Sequence, residues 1–195
     1  MRNYNSSYGD SDRLSKAWQR NSMIVEVICY LQWPGCSVLD VENTKGNIPN
    51  SLDHSGIDRL VITGNSLIGL SVRMQSYHYY QYCMSQFECP TFTIRIKRSY
   101  GNRWSRDSEL GKTIDAVRNS TITASYQLHC YMDSNGDQAI SFGLADRISL
   151  FQYVVDNPHL CGSKSTGDYQ TGQEQSFVYI PFKYIPDNIL IRSMY

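Results

Sequence analysis

At 195 residues the chain has the size of one ordinary domain, long enough to bury a core without disulfide or metal staples. Its 18 Lys and Arg balance 18 Asp and Glu, which excludes a globally basic or acidic protein and makes any nucleic-acid surface a local one. No apolar run approaches the ~20 residues of a membrane-spanning helix, and the polar start Met1-Arg2-Asn3-Tyr4-Asn5-Ser6-Ser7 lacks the apolar core of a signal peptide. A soluble, cytoplasmic protein with no membrane partner is therefore expected.

Residues 1–10 read as a flexible N-terminus. From Asp10 to Gln32 the spacing predicts a helix: Asp10 or Ser11 caps it, and Leu14, Trp18, Val25, Ile28 and Cys29 share a face. Trp33-Pro34-Gly35 breaks it. Cys36 to Glu42 reads as a short strand, and the polar stretch Asn43 to Ser55 as a loop. Asp58 to Ile62 and Leu67 to Gln75 form a hairpin joined by Thr63-Gly64-Asn65-Ser66, because glycine and asparagine tolerate positive φ. Tyr77, Tyr79, Tyr80 and Tyr82 crowd one run, which fits either a binding face or half-buried packing at a sheet edge or subunit contact.

Phe92 to Arg98 alternates apolar and polar residues, the pattern of a strand with one face in the core and a basic face outward. Arg106 to Arg118 predicts a helix with Leu110, Ile114 and Val117 inward. Thr121 to Met132 and Ala139 to Leu144 are strands around the turn Asp133-Ser134-Asn135-Gly136-Asp137. Ala145 to Asp156 is a further helix, ended by Asn157-Pro158. Residues 163–175 form a polar surface loop, and Phe177 to Phe182 a last short strand. Strands and helices interleave throughout, so a single layered α/β domain is expected rather than a β-sandwich.

The six cysteines would suggest a disulfide framework in a secreted chain. With no leader expected and no CxxC, CxxH or HxxxH spacing, they read as mostly buried, reduced thiols.

Two features carry chemistry. On the second hairpin strand Ser71, Arg73 and Gln75 alternate, so their side chains share one face, while Asp58 opens the partner strand and is brought to the same edge. Further on, Arg95, Lys97, Arg98, Arg103, Arg106, Lys112 and Arg118 stand against only Asp107, Glu109 and Asp115, with Tyr100 and Trp104 among them. Arg95, Lys97, Arg98, Arg103, Trp104 and Arg106 are the candidates for DNA contact, cations for phosphates and the indole for stacking. The plain alternative is a solvated strand face and helix.

The stretch Glu42-Asn43-Thr44, Gly56-Ile57-Asp58, a hairpin and then Val72-Arg73 resembles the PD-(D/E)XK, or restriction-endonuclease-like, nuclease superfamily over roughly residues 12–155. The order of Gly56-Ile57-Asp58, Gly69-Leu70-Ser71-Val72-Arg73-Met74-Gln75, Phe92-Thr93-Ile94-Arg95 and Thr123 to Gln127 is similar to a small phage and bacterial branch. The resemblance implies an αβββαβ core with a mixed β-sheet flanked by helices, a metal-binding aspartate at Asp58, and an auxiliary acid at Glu26 in the first helix. It sets Ser71 where a second acid is expected and Arg73 where the lysine is expected. Gln75 assists, and Glu109 and Gln127 are placed by pattern alone.

The implied activity is DNA phosphodiester hydrolysis with Mg²⁺ or Mn²⁺ on Asp58 and Glu26, with catalytic roles for Asp58, Glu26, Arg73 and Gln75. Serine is a poor replacement for a carboxylate on a hard cation, and arginine stays protonated and cannot act as a base. The alternative is a catalytically inactive nuclease-fold protein that binds nucleic acid or a protein partner, in phage–host conflict. A homodimer stays open, and an aromatic-rich glycan binder is a third reading.

Overall fold

A computed structural model describes residues 8–41, 52, 55–100, 103–105, 108–168 and 173–195, with side chains outside 8–19, 98–105, 167–168 and 173. A long helix, α1 (Tyr8–Gln32), leads into β1 (Ser37–Asp40), β2 (Arg59–Thr63) and β3 (Ser66–Gln75). Helix α2 (Tyr77–Phe87), strands β4 (Thr91–Tyr100) and β5 (Arg103–Ser105) and helix α3 (Glu109–Arg118) follow. Next come β6 (Tyr126–Met132), β7 (Ala139–Asp146) and α4 (Arg147–Asp156). The chain closes with β8 (Gly162–Asp168), β9 (Gln173–Pro181) and β10 (Leu190–Met194).

The strands form two sheets, a six-stranded one in the order β1-β2-β3-β6-β7-β10 and a four-stranded one in the order β5-β4-β9-β8. In the first, β3 and β6 run parallel, and the connection a parallel pair requires is long enough to hold α2, β4, β5 and α3. This α/β arrangement agrees with the expected class. The second sheet is not foreshadowed by the sequence reading.

Strand β6 is central and shows how the core divides. Leu128, Cys130 and Met132 point to one face, where they meet Val25, Ile28 and Cys29 of α1 together with Leu70, Phe142 and Leu144. Tyr131 points to the other face and packs with Phe92, Ile94 and Ile180 of the second sheet, Cys83 of α2 and Leu150 of α4. Period-2 alternation thus feeds two apolar layers from one strand. All six cysteines are free thiols, five of them buried and Cys161 partly so. Burial pushes the thiols of Cys29 and Cys130 up to about 12, so both are inert at neutral pH.

Several elements depart from the sequence reading. The tyrosine-rich run forms α2, capped by the Ser76 hydroxyl accepting from the Tyr79 N–H and ended by Glu88 in the left-handed region at φ 55°. Its signal is weak because aromatic residues are indifferent helix formers. Tertiary stacking holds it, with the Tyr79 and Tyr131 rings 6.3 Å apart. In α3 the inner residues are Thr113 and Ala116, whereas Ile114 and Val117 are exposed; Thr113 turns inward because its hydroxyl binds a buried arginine. Residues 163–175, expected as a loop, contain β8 and the start of β9, paired from Gly162↔Tyr179 to Asp168↔Gln173. The strand is polar because it lies at a sheet edge, where alternation with a core face is not required. Strand β10, also unanticipated, pairs with β7.

The expected loop Asn43 to Ser55 falls largely outside the described residues, as does most of the N-terminal segment 1–10. Among the described residues no helix is long and apolar enough to cross a membrane.

Gly143 on β7 is a point of close approach. A Cβ built there would lie 2.6 Å from the Phe182 ring, and Phe182 is fully buried. Gly143→Ala is expected to lower unfolding free energy by about 1–3 kcal/mol through overpacking, measured by urea denaturation. The same substitution in a Phe182→Leu background should cost less, since the two changes share one contact.

Candidate functional site

Asp58 is built into place by its backbone. Its N–H donates to Leu70 O at 2.9 Å, and its carbonyl accepts from the Val41 N–H at 3.1 Å, so it is held between β1 and β3 just before β2 begins. The two preceding residues serve the same end. Gly56 takes φ 74°, and a Cβ on it would sit 3.2 Å from an Nη atom of Arg147. Ile57 is buried against Gly69, where an added Cβ would come within 3.1 Å of it. Glycine at 56 and 69 therefore reflects an arginine and an isoleucine filling the adjoining space.

The Asp58 carboxylate turns toward β3, where Oδ2 accepts from the Val72 N–H at 2.6 Å and from the Ser71 hydroxyl at 3.3 Å. Burial raises its pKa above the ordinary carboxylate value, opposed by the Val72 hydrogen bond and by the charges of Arg147 and Arg59. Asp58, Ser71 and Arg73 line one polar cleft of about 380 Å³, with Gly56, Arg95, Glu109, Lys112 and Arg147. The hairpin thus brings Asp58 and Arg73 to a common hollow, between the first sheet, β4 and the N-terminal ends of α3 and α4.

Arg73 pairs with Glu109, the first residue of α3, where a carboxylate also complements the helix dipole. The other oxygen of Glu109 accepts from the Arg95 N–H at 2.9 Å. Burial, reinforced by the charge of Arg95, lowers the Arg73 pKa to about 10. Arg147 is fully buried. Its Nε donates to the Thr113 hydroxyl at 3.0 Å, one Nη to Gly56 O at 3.3 Å and the other to Glu109 O at 3.4 Å. Burial lowers its pKa to about 10, opposed by Asp58. Both guanidiniums remain charged at neutral pH.

Behind the cleft, β6 sets Gln127 beside Ser71 and His129 beside Arg73 in parallel register. Both are buried. His129 Nδ1 accepts from the Thr93 N–H at 3.3 Å, which leaves the proton on Nε2. Burial, with the Arg73 charge, holds this imidazole neutral well below its usual range.

The other sequence candidates are placed elsewhere. Glu26 is on α1, which packs on the opposite face of the first sheet, and it is not among the residues lining the cleft; α1 uses its apolar stripe there because that face of β6 carries Leu128 and Cys130. Gln75 sits two residues beyond Arg73, opposite Tyr131, outside the cleft lining. Lys97 borders a separate apolar hollow with Ile94, Ile96 and Leu110. The side chains of Arg98, Arg103, Trp104 and Arg106 lie outside the described residues, as do Glu42 and Asp53.

Arg147 was missed from sequence. Its signal is a cation in the first turn of a helix, directly after the capping Asp146, where the dipole disfavours positive charge unless something buried requires it. Glu109 and Lys112 belong to the basic stretch, but the pairing of Glu109 with Arg73 and the place of Lys112 in the cleft lining leave no signal in the sequence.

Among the described residues the donor set falls short of what a hard divalent cation takes. Mg²⁺ takes several charged oxygens and waters in near-octahedral order. Here the two carboxylates of the cleft are engaged, Asp58 by Val72 and Ser71, Glu109 by Arg73 and Arg95. Among the described residues no group of three His, Cys, Asp or Glu converges to hold a metal ion. Compared with known proteins, the chain matches no family model, no curated protein and no solved structure.

The raised Asp58 pKa has a stability consequence of defined sign. The folded chain holds that proton more tightly than the unfolded one, so the contribution is fully present below 3.8, the unfolded value, and is lost as pH rises through the folded value. Asp58→Asn removes the charge but keeps an acceptor for the Val72 N–H. In urea denaturation the variant is expected to match the wild type near pH 3 and to exceed it at pH 7.

Proposed function

We propose that the cleft binds a backbone phosphate of nucleic acid, in a protein of nuclease-like layout. The observation that carries this reading is the charge balance of the hollow: Arg73, Arg95, Lys112 and Arg147 stand against Asp58 and Glu109, and both carboxylates are already hydrogen-bonded. Among the described lining residues, cations outnumber carboxylates four to two. Guanidiniums suit a phosphate because their planar forks match its oxygens, and the β4 and α3 contributions come from the stretch whose composition suggests nucleic-acid contact. The chain order of a helix, three antiparallel strands, a crossover containing helices and a strand parallel to the third supports kinship with the PD-(D/E)XK layout.

Binding is tested with fluorescein-labelled DNA by anisotropy over a salt series. Affinity is expected to fall with salt as counterions are released. Arg95→Ala and Lys112→Ala should each weaken binding and reduce the salt slope by about 1. Glu109→Gln keeps an acceptor for the Arg95 N–H but removes a charge worth ~1 kcal/mol or more at ~4 Å, so affinity should rise about five-fold or more. Salt-independent or absent binding would overturn the reading.

A second reading, metal-assisted hydrolysis of the gripped phosphodiester, is favoured by one observation: Asp58 and Glu109, on distant parts of the sequence, line the same cleft. It is tested by incubating single- and double-stranded DNA with Mg²⁺ or Mn²⁺. Cleavage by the wild type that is lost in Asp58→Ala supports it, and an inactive wild type that still binds DNA rejects it.

A further inference from the structure

Beyond the cleft, the second sheet carries a row of side chains that continues the cationic lining. The register sets Arg95 of β4 beside Phe177 of β9, and Phe177 beside Lys164 of β8, so three neighbouring strands project Arg95, Phe177 and Lys164 from one face. The guanidiniums of Arg73 and Arg95 each lie 5.8 Å from the Phe177 ring centre, which joins the row to the cleft. At its far end the Lys164 ammonium lies 5.6 Å from the ring of Tyr82 on α2. Tyr82 is 37% exposed, and its inner side is supported by Tyr79, 5.8 Å away and nearly parallel at 27°.

Adjacent strands are ~4.8 Å apart, so the row spans about 10 Å, room for two to three nucleotides at a rise of ~3.4 Å. Cations alternate with aromatic rings along it. This is the chemistry by which unpaired nucleotides are held: ammonium and guanidinium groups track the phosphates, and rings take the exposed faces of bases. A duplex offers only phosphates, because its base faces are covered by their neighbours. Thr93 and Tyr179, paired in the next register position on the same face, are uncharged.

We infer that Arg95, Phe177, Lys164 and Tyr82 form a track for a single-stranded segment running out of the cleft. The inference rests on the proposed nucleic-acid reading and narrows its substrate to strands with unpaired bases, DNA or RNA. Phe177 is a positioning residue that fixes the two arginines, and Tyr82 stacks a base.

The test measures anisotropy of a labelled oligothymidylate of about 12 nucleotides, within the ~4–16 of known single-strand sites, beside a duplex of the same length. Tyr82→Ala should weaken the single strand about five-fold or more and leave the duplex unchanged, while Tyr82→Phe keeps the ring and should restore wild-type affinity. Lys164→Gln should lower the single-strand salt slope by about 0.7. If Tyr82→Ala and Lys164→Gln bind the oligothymidylate like wild type while Arg95→Ala weakens both forms, the track is wrong and the cleft reading stands. A wild type that binds neither form overturns both.

Discussion

The buried guanidinium of Arg147 is the interaction on which the rest of the cleft depends. A charge removed from water has to be met by hydrogen bonds and counter-charge or the fold loses several kcal/mol, and this one is met from two separate parts of the chain. Thr113 and the Glu109 carbonyl bind it from α3, and the Gly56 carbonyl binds it from the turn before β2. The Asp58 carboxylate offsets its charge. Its own backbone N–H donates to Ser125 O, and the Ser125 N–H donates to Gly69 O, which ties the start of α4 to the middle of β3. The guanidinium therefore sets the spacing among the elements that supply Asp58, Glu109 and Lys112, and it explains why position 56 has no Cβ.

The same balance sets the charge of the cleft. In a pocket with serine at 71, a protein hydroxyl fills the place beside Asp58 and no second strand-borne acid adds negative charge. Glu109 arrives instead from a helix end and is met by Arg73 and the Arg95 N–H. One carboxylate is thereby neutralised locally, and burial resists ionisation of the other. Such a charge pattern suits an anion better than a bare cation, and the proposed phosphate binding rests on it.

The second sheet adds reach. Its core side carries Ile94, Val178 and Ile180, which pack into the layer shared with Tyr131, so its opposite side can hold Arg95, Phe177 and Lys164 without loss of packing. Helix α2 flanks that side and stacks its tyrosines there rather than burying an aliphatic stripe. Cationic groups at the sheet junction and ring-bearing groups farther out thus follow from the alternation of single strands.

Much of the fold was legible because it rests on local periodicity. The helical spacing of Val25, Ile28 and Cys29, the hairpin around Gly64, the alternation of Phe92 to Lys97 and the strands on either side of Asp133 to Asp137 all record side chains that repeat toward a core. Asp58 and Arg73 were found for the same reason, since one hairpin brings both to one edge. The helix at Tyr77–Phe87, the polar strand Gly162–Asp168 and the inward turn of Thr113 were not legible: each is stabilised by partners remote in sequence, against aromatic, polar or amphipathic patterns that fit other structures equally well. Residue order alone determined an α/β domain and an acid beside an arginine. Only the tertiary structure decided that Glu109, Arg95 and Arg147 complete their surroundings and that Glu26 does not, because charge pairing across distant segments leaves no period in the chain.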